Sequence, residues 1–72
     1  MTSRPFDFLN DAIGKEVLVI LKDSVSIRGT LRAFDVHMNI VLEGAEQLEG
    51  GVPKAKYGKL MVRGDNVLLI SP

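Results

Sequence analysis

Ser24–Ala33 alternates more strictly than any other stretch of the chain, and it limits the fold more than anything else does. Val25, Ile27, Gly29, Leu31 and Ala33 share one side; Ser24, Ser26, Arg28, Thr30 and Arg32 share the other. A period of two with one apolar side describes a half-buried β-strand. About ten residues is long for a strand in a chain of 72. Such a strand must curl, and a glycine at its centre permits a sharp bend at the expense of a flat ladder. Simple tolerance of Gly29 is the plain alternative. A bend is preferred, because a long strand in so small a domain has to close on itself as a barrel.

The segments around it agree. Residues 3–13 predict a short helix, with Ser3 as N-cap, Pro5 in the first turn and Asp7 near the positive end of the dipole. Phe6, Leu9 and Ile13 recur at helical spacing with Phe8 and Ala12 alongside, and Gly14 stops the helix. From Glu16 the period changes to two. Val17, Val19 and Leu21 oppose Leu18 and Ile20, so this strand is expected to be buried on both faces. Lys22-Asp23-Ser24 is the first turn, made without glycine. Ile40–Glu43 begins a third strand that becomes less regular over Gly44–Leu48. Glu49–Lys54 reads as a loop on its glycines and proline. Tyr57–Arg63 and Val67–Ile70 are the last two strands. One helix followed by five strands predicts a mainly β domain, a strongly bent antiparallel small barrel spanning residues 1–72.

Composition narrows the function. At this length folding buries only about 60% of the unfolded surface, and a lone core rarely yields more than roughly 3–5 kcal/mol. With no cysteine, neither a disulfide nor a thiolate metal site can help. One histidine without a carboxylate set predicts no metal, and no cofactor is expected. Self-association is then the remaining source of stability. Val67-Leu68-Leu69-Ile70 is apolar on both sides and has no lysine or internal proline to blunt an edge, so it invites pairing with another copy. If the two edges differ, the contact is heterologous and a ring is its soluble form. Nine basic and nine acidic residues balance, which argues against coating duplex DNA by bulk charge. No run reaches the ~18 apolar residues of a membrane span, and residues 1–8 lack the pattern of a signal peptide. The expectation is a cytoplasmic protein with no membrane partner.

Chemistry concentrates in two polar clusters between apolar runs, Asp35-Val36-His37-Met38-Asn39 and Arg63-Gly64-Asp65-Asn66. An enzyme is not expected: no serine sits in a nucleophile-type turn, His37 and Asp35 have no nucleophile to serve, and Gly50-Gly51 is no phosphate loop. Binding suits the residues better. Imidazole and guanidinium are both flat, so His37 and Arg63 can sandwich a base. Asn39 offers an acceptor and a donor that match the N3–H and O4 edge of uracil. Asp35 can orient that amide, Asp65 can hold Arg63 or the loop backbone, and Gly64 can let the second loop turn tightly. Met38 alternates away toward the core. Taken singly, each cluster has a plainer explanation: a loop histidine is ordinarily solvated, and Arg-Gly-Asp-Asn is ordinarily a turn.

Together and in this order, the clusters resemble the Sm and Sm-like (LSm) RNA-binding proteins over nearly the whole chain. The first Sm motif matches about 15–44, including Gly29 and Asp35-x-His37-Met38-Asn39. The second matches about 60–71, beginning Leu60-Met61-Val62-Arg63-Gly64-Asp65-Asn66-Val67. The compact form is most similar to the archaeal members. The resemblance implies a helix on a five-stranded bent barrel and homo-oligomeric rings, typically heptamers, joined through the fourth and fifth strands. It implies single-stranded U-rich RNA in the pore, with His37 and Arg63 stacking a base, Asn39 reading it, and Asp35, Gly64 and Asp65 in support. A role as RNA chaperone or scaffold follows, with RNA-processing proteins as further partners. The alternative is a ring whose main role is to bind protein partners. Two positions depart from the family pattern: Ser24 stands where glycine is frequent, and so does Ala33.

Overall fold

The computed structural model describes residues 4–72. It comprises a helix α1 (Pro5–Ala12), strands β1 (Glu16–Leu21), β2 (Ser26–Phe34), β3 (Ile40–Glu49) and β4 (Val52–Val62), a 3-10 turn (Gly64–Asn66) and strand β5 (Val67–Ser71). All strand pairs are antiparallel, in the order β4-β3-β2-β1-β5. The expected helix and five strands are therefore present, in one bent sheet whose two outer strands are β4 and β5.

Proline suits the first turn of α1 because that N–H has no intrahelical partner. Arg4, not Ser3, is the N-cap; its carbonyl accepts the Phe8 N–H at 3.0 Å, and its guanidinium pairs with Asp7. Ser3 lies outside the described residues. The helix buries Leu9 and Ala12, whereas Phe6, Phe8 and Ile13 stay exposed. The aromatic side of the helix thus faces outward. Phe6 nevertheless meets the Phe34 ring edge-on, with centroids 5.1 Å apart. Past the helix, the Gly14 N–H bonds the Leu31 carbonyl at 2.8 Å and the Leu31 N–H bonds the Lys15 carbonyl at 3.0 Å, which ties the helix end to the middle of β2.

The bend arises from two compensating bulges between β2 and β3. Arg28 faces Glu46 and Thr30 faces Glu43, so Gly29 alone opposes Gly44 and Ala45. Farther along, Leu31 faces Leu42 and Ala33 faces Val41, so Arg32 is the extra residue, now on the other strand. The first bulge lets Leu42 and Ala45, three residues apart, both point into the core, each 0% exposed. The second reverses the phase of β2: Ala33, expected inside, is exposed, and Phe34 turns partly inward against the core. Because the insertions lie on opposite strands, the register is restored at Phe34–Ile40, where the Asp35–Asn39 loop begins.

Val17, Val19, Leu21, Ile27, Leu31, Ile40, Leu42, Ala45 and Val62 form the core with Leu9 and Ala12. Leu18 and Ile20, on the other face of β1, are only half-buried in the protomer, so the expectation of burial on both faces is not met. The expected 49–54 loop is also absent. β3 and β4 continue to a two-residue hairpin at Gly50-Gly51, with φ of +58° and +82°, the pair of positive values a type I′ turn requires. Pro53 is tolerated because β4 is an edge strand. The two edges differ in chemistry: β4 carries Pro53, Lys54, Lys56 and Lys59, while β5 exposes Leu68 and Leu69.

Candidate nucleic-acid interface

The Asp35–Asn39 loop closes through two main-chain bonds, Met38 N–H to Asp35 O at 3.0 Å and Asp35 N–H to Asn39 O at 3.1 Å. Met38 adopts a φ of +67° there and packs against the core, as its alternation suggests. The Asp35 carboxylate organises the rest. One oxygen accepts the main-chain N–H of His37 (2.9 Å) and of Asn39 (3.1 Å); the other accepts the Asn39 side-chain amide at 3.1 Å. The Asn39 bond above all holds the Asp35 carboxyl below its ordinary value of 3.8, and the two main-chain bonds add to it against a desolvation cost. Asp35 is therefore an anion over the neutral range, with acceptors only.

The second loop is held at both ends. At one end the Gly64 N–H donates to the Asn39 side-chain oxygen at 2.8 Å. At the other the Asn66 carbonyl accepts the Lys22 N–H at 2.9 Å. Between them the Asn66 N–H bonds the Arg63 carbonyl at 3.0 Å and closes the turn. Gly64 is needed for a reason the sequence did not suggest. Its φ is unremarkable, but a Cβ there would lie 1.9 Å from the His37 carbonyl oxygen and 2.7 Å from the Met38 carbonyl carbon. The glycine permits two backbones to touch; it does not serve to tighten a turn.

These bonds fix the Asn39 amide in one orientation. The oxygen must face the Gly64 N–H, and the nitrogen must face a carboxylate that only accepts. A carbonyl oxygen has two lone pairs and an amide nitrogen two hydrogens, so one acceptor position and one donor position remain. On the other wall of the site, Arg63 pairs with Asp65 at 3.0 Å, both side chains being exposed. The pair adds little to stability at that exposure, but it compensates the guanidinium charge and limits its range of positions.

His37, Met38, Asn39, Arg63, Gly64 and Asp65 line one open cleft of about 470 Å³. Five of the six predicted site residues thus line it, and Asp35 stands behind them through Asn39. Arg63 and Asp65, with Asn66, also border an adjoining cleft of about 480 Å³ that runs to Leu21, Ile27 and Met61. The bond from Lys22 was not anticipated; nothing local in Lys22-Asp23-Ser24 signals a contact made 44 residues later in the chain. Among the described residues no group of three or more His, Asp or Glu side chains could hold a metal ion. No helix among them is long and apolar enough to cross a membrane.

Comparison with known proteins identifies the family. The family model described as LSM domain matches residues 7–72. A protein of Thermococcus sibiricus, provisionally named as an snRNP Sm-like protein, is 51% identical over 72 residues, covering 100% of this chain and 95% of its own. The Pyrococcus abyssi Sm protein solved in complex with a uridine heptamer superposes with a TM-score of 0.95 at 47% identity, covering 97% of this chain and 99% of its own. The P. aerophilum SmAP1 heptamer gives 0.91 at 50% identity, over 100% of this chain and 96% of its own.

Proposed function

The chain belongs to the LSM-domain family, and from that premise we propose that it forms a homo-oligomeric ring, a heptamer, that binds single-stranded U-rich RNA in its pore without catalysis. The observation that carries the proposal is the locked amide of Asn39. Its free N–H is complementary to uracil O4 and its free lone pair to uracil N3–H. Cytosine presents an amino donor and an N3 acceptor at the same places, so both contacts become like against like. His37 and Arg63 border the same cleft and supply flat surfaces for the base, each such stack being worth about 1–3 kcal/mol. Asp35 and Gly64 orient Asn39, and Asp65 holds Arg63.

Single sites of this size bind weakly. A ring presents several in register, and once one base is held the next binds at high effective concentration. A neutral chain can therefore hold RNA without a basic field. The uridine heptamer bound to the P. abyssi protein and the heptamer of the P. aerophilum protein support this reading. So do the dissimilar edges of β4 and β5, which favour head-to-tail pairing over pairing of like strands. The role we assign is that of a chaperone or scaffold in cytoplasmic RNA processing.

The test is binding of labelled oligo(U) and oligo(C) by fluorescence anisotropy at one salt concentration. Oligo(U) should bind more tightly by about tenfold or more, about 1.4 kcal/mol, which lies within the ~1–3 kcal/mol that one bidentate contact discriminates. Asn39→Ala should abolish that difference while the ring mass in native mass spectrometry is unchanged. Equal affinities for the parent protein, or a preference that survives the substitution, would reject the assignment.

A further inference from the structure

We propose that Lys22, in the turn between β1 and β2, is a further RNA-binding residue whose ammonium meets the phosphodiester of the strand held in the cleft. The proposal rests on the RNA reading above and extends it from the base to the backbone. Position is the first argument. The Lys22 N–H holds the Asn66 carbonyl at 2.9 Å, so this residue is joined directly to the turn that carries Arg63 and Asp65. Leu21, next to it in sequence, borders the same cleft as Arg63, Asp65 and Asn66. A strand passing from the base cleft over Arg63 and Asp65 enters that second cleft and reaches the first turn.

Charge is the second argument. Seven of the nine basic side chains sit in ion pairs: Arg4, Arg28, Arg32, Lys54, Lys56, Lys59 and Arg63. Lys15 and Lys22 do not, and Lys22 pairs neither with its neighbour Asp23 nor with any other carboxylate among the described residues. Lys15 borders a separate depression with Phe8, Asp11, Ala12 and Pro72, which shares no residue with either cleft. Lys22 is exposed and, among the described residues, is the one uncompensated cation on the RNA side.

The site needs such a charge. Arg63 is cancelled by Asp65, and Asp35 adds an anion of its own, so the base-reading residues together repel a phosphate. A lysine on a flexible stem is a compact point charge suited to a phosphate whose position varies along the strand. It would contribute affinity without reading sequence, since phosphate contacts position and base contacts specify.

Salt dependence of oligo(U) binding tests this, because each phosphate neutralised on a single strand contributes about −0.7 to the slope of log K against log salt. Lys22→Gln should make the slope shallower by about 0.7 for each protomer engaged, with the ratio of oligo(U) to oligo(C) affinity unchanged. Lys22→Arg should restore the parent slope, and Lys15→Gln should leave it as it was. An unchanged slope in Lys22→Gln overturns the proposal; so does a ring that dissociates in native mass spectrometry, since the lysine would then serve assembly. If the parent protein binds oligo(U) and oligo(C) equally, the uracil reading fails, and the slopes still decide the role of Lys22.

Discussion

The side-chain oxygen of Asn39 accepts the main-chain N–H of Gly64 at 2.8 Å and so joins two loops 25 residues apart in sequence. Each loop is already closed by its own main-chain bonds. This contact sets their separation, and with it the width of the cleft between His37 and Arg63.

Gly64→Ala should be the most damaging small substitution in the chain. The added Cβ would lie 1.9 Å from the His37 carbonyl oxygen, so the loops must part and the bond to Asn39 is lost. A backbone clash of this kind together with a lost, part-buried hydrogen bond costs about 2–4 kcal/mol. Chemical denaturation at fixed protomer concentration should show that loss, and oligo(U) affinity should fall with it.

Asp35→Asn should separate orientation from folding. One carboxylate oxygen serves the main-chain N–H groups of His37 and Asn39, and the other serves the Asn39 amide. An asparagine has one oxygen, which keeps the turn and releases the amide. The ring should remain, and preference for oligo(U) over oligo(C) should drop about tenfold or more, or about 1.4 kcal/mol, when read by anisotropy.

Acid should loosen the loop late. The Asp35 carboxyl is held low chiefly by the Asn39 side chain, and the Glu43 carboxyl chiefly by the Arg32 side chain. A carboxyl depressed by folding contributes stability that is present above its unfolded value and lost as pH falls through the lower folded one. The Asn39 side-chain amide signals in nuclear magnetic resonance should therefore shift as Asp35 protonates, with a midpoint below that of an ordinary aspartate. A midpoint at or above the ordinary aspartate value would contradict the assigned network.

Ser24→Gly should stabilise the first hairpin. Ser24 has a φ of +68°, a left-handed conformation that costs a residue with a Cβ about 1–2 kcal/mol. Glycine avoids that cost but loses more entropy on folding, which leaves a gain of about 0.5–1 kcal/mol. Gly29→Ala should do the opposite, because its Cβ would meet the Ala45 Cα at 3.1 Å and the Glu43 carbonyl at 3.2 Å. Thermal melts of the two variants should move in opposite directions.

Leu68→Lys should disperse the ring. Leu68 is 64% exposed in the protomer, so the change should cost the isolated fold at most about 0.5 kcal/mol. In a ring the same position lies on the paired β5 edge, and a lysine there blunts it. Light scattering should show the mass falling below that of the ring while circular dichroism keeps its strand signal.

Where the sequence pattern is local it was sufficient. The period of two in β2, the positions of the two loops and the bare β5 edge are all visible in runs of a few residues. Their pairing into one site was expected from the residue types and from the family resemblance. The errors lie where alternation is interrupted. The pattern puts Ala33 inside because it continues through Arg32, and a bulge leaves no mark in composition. The 49–54 stretch resembles a loop because glycine and proline there suit both a loop and a type I′ hairpin beside an edge strand.

Sequence alone therefore determined the helix-and-five-strand plan and the chemistry in the two loops, since both follow from side-chain type and short-range period. Only the tertiary structure decided how that chemistry is aimed. The Asn39 amide orientation depends on Asp35 on one side and Gly64 on the other. The need for glycine at 64 arises from contact with the His37 carbonyl, not from its own backbone angles. The bond from Lys22 to Asn66 brings a third turn to the site. All three are contacts between loops that different strand pairs bring together, 25 to 44 residues apart, and no window of sequence contains them.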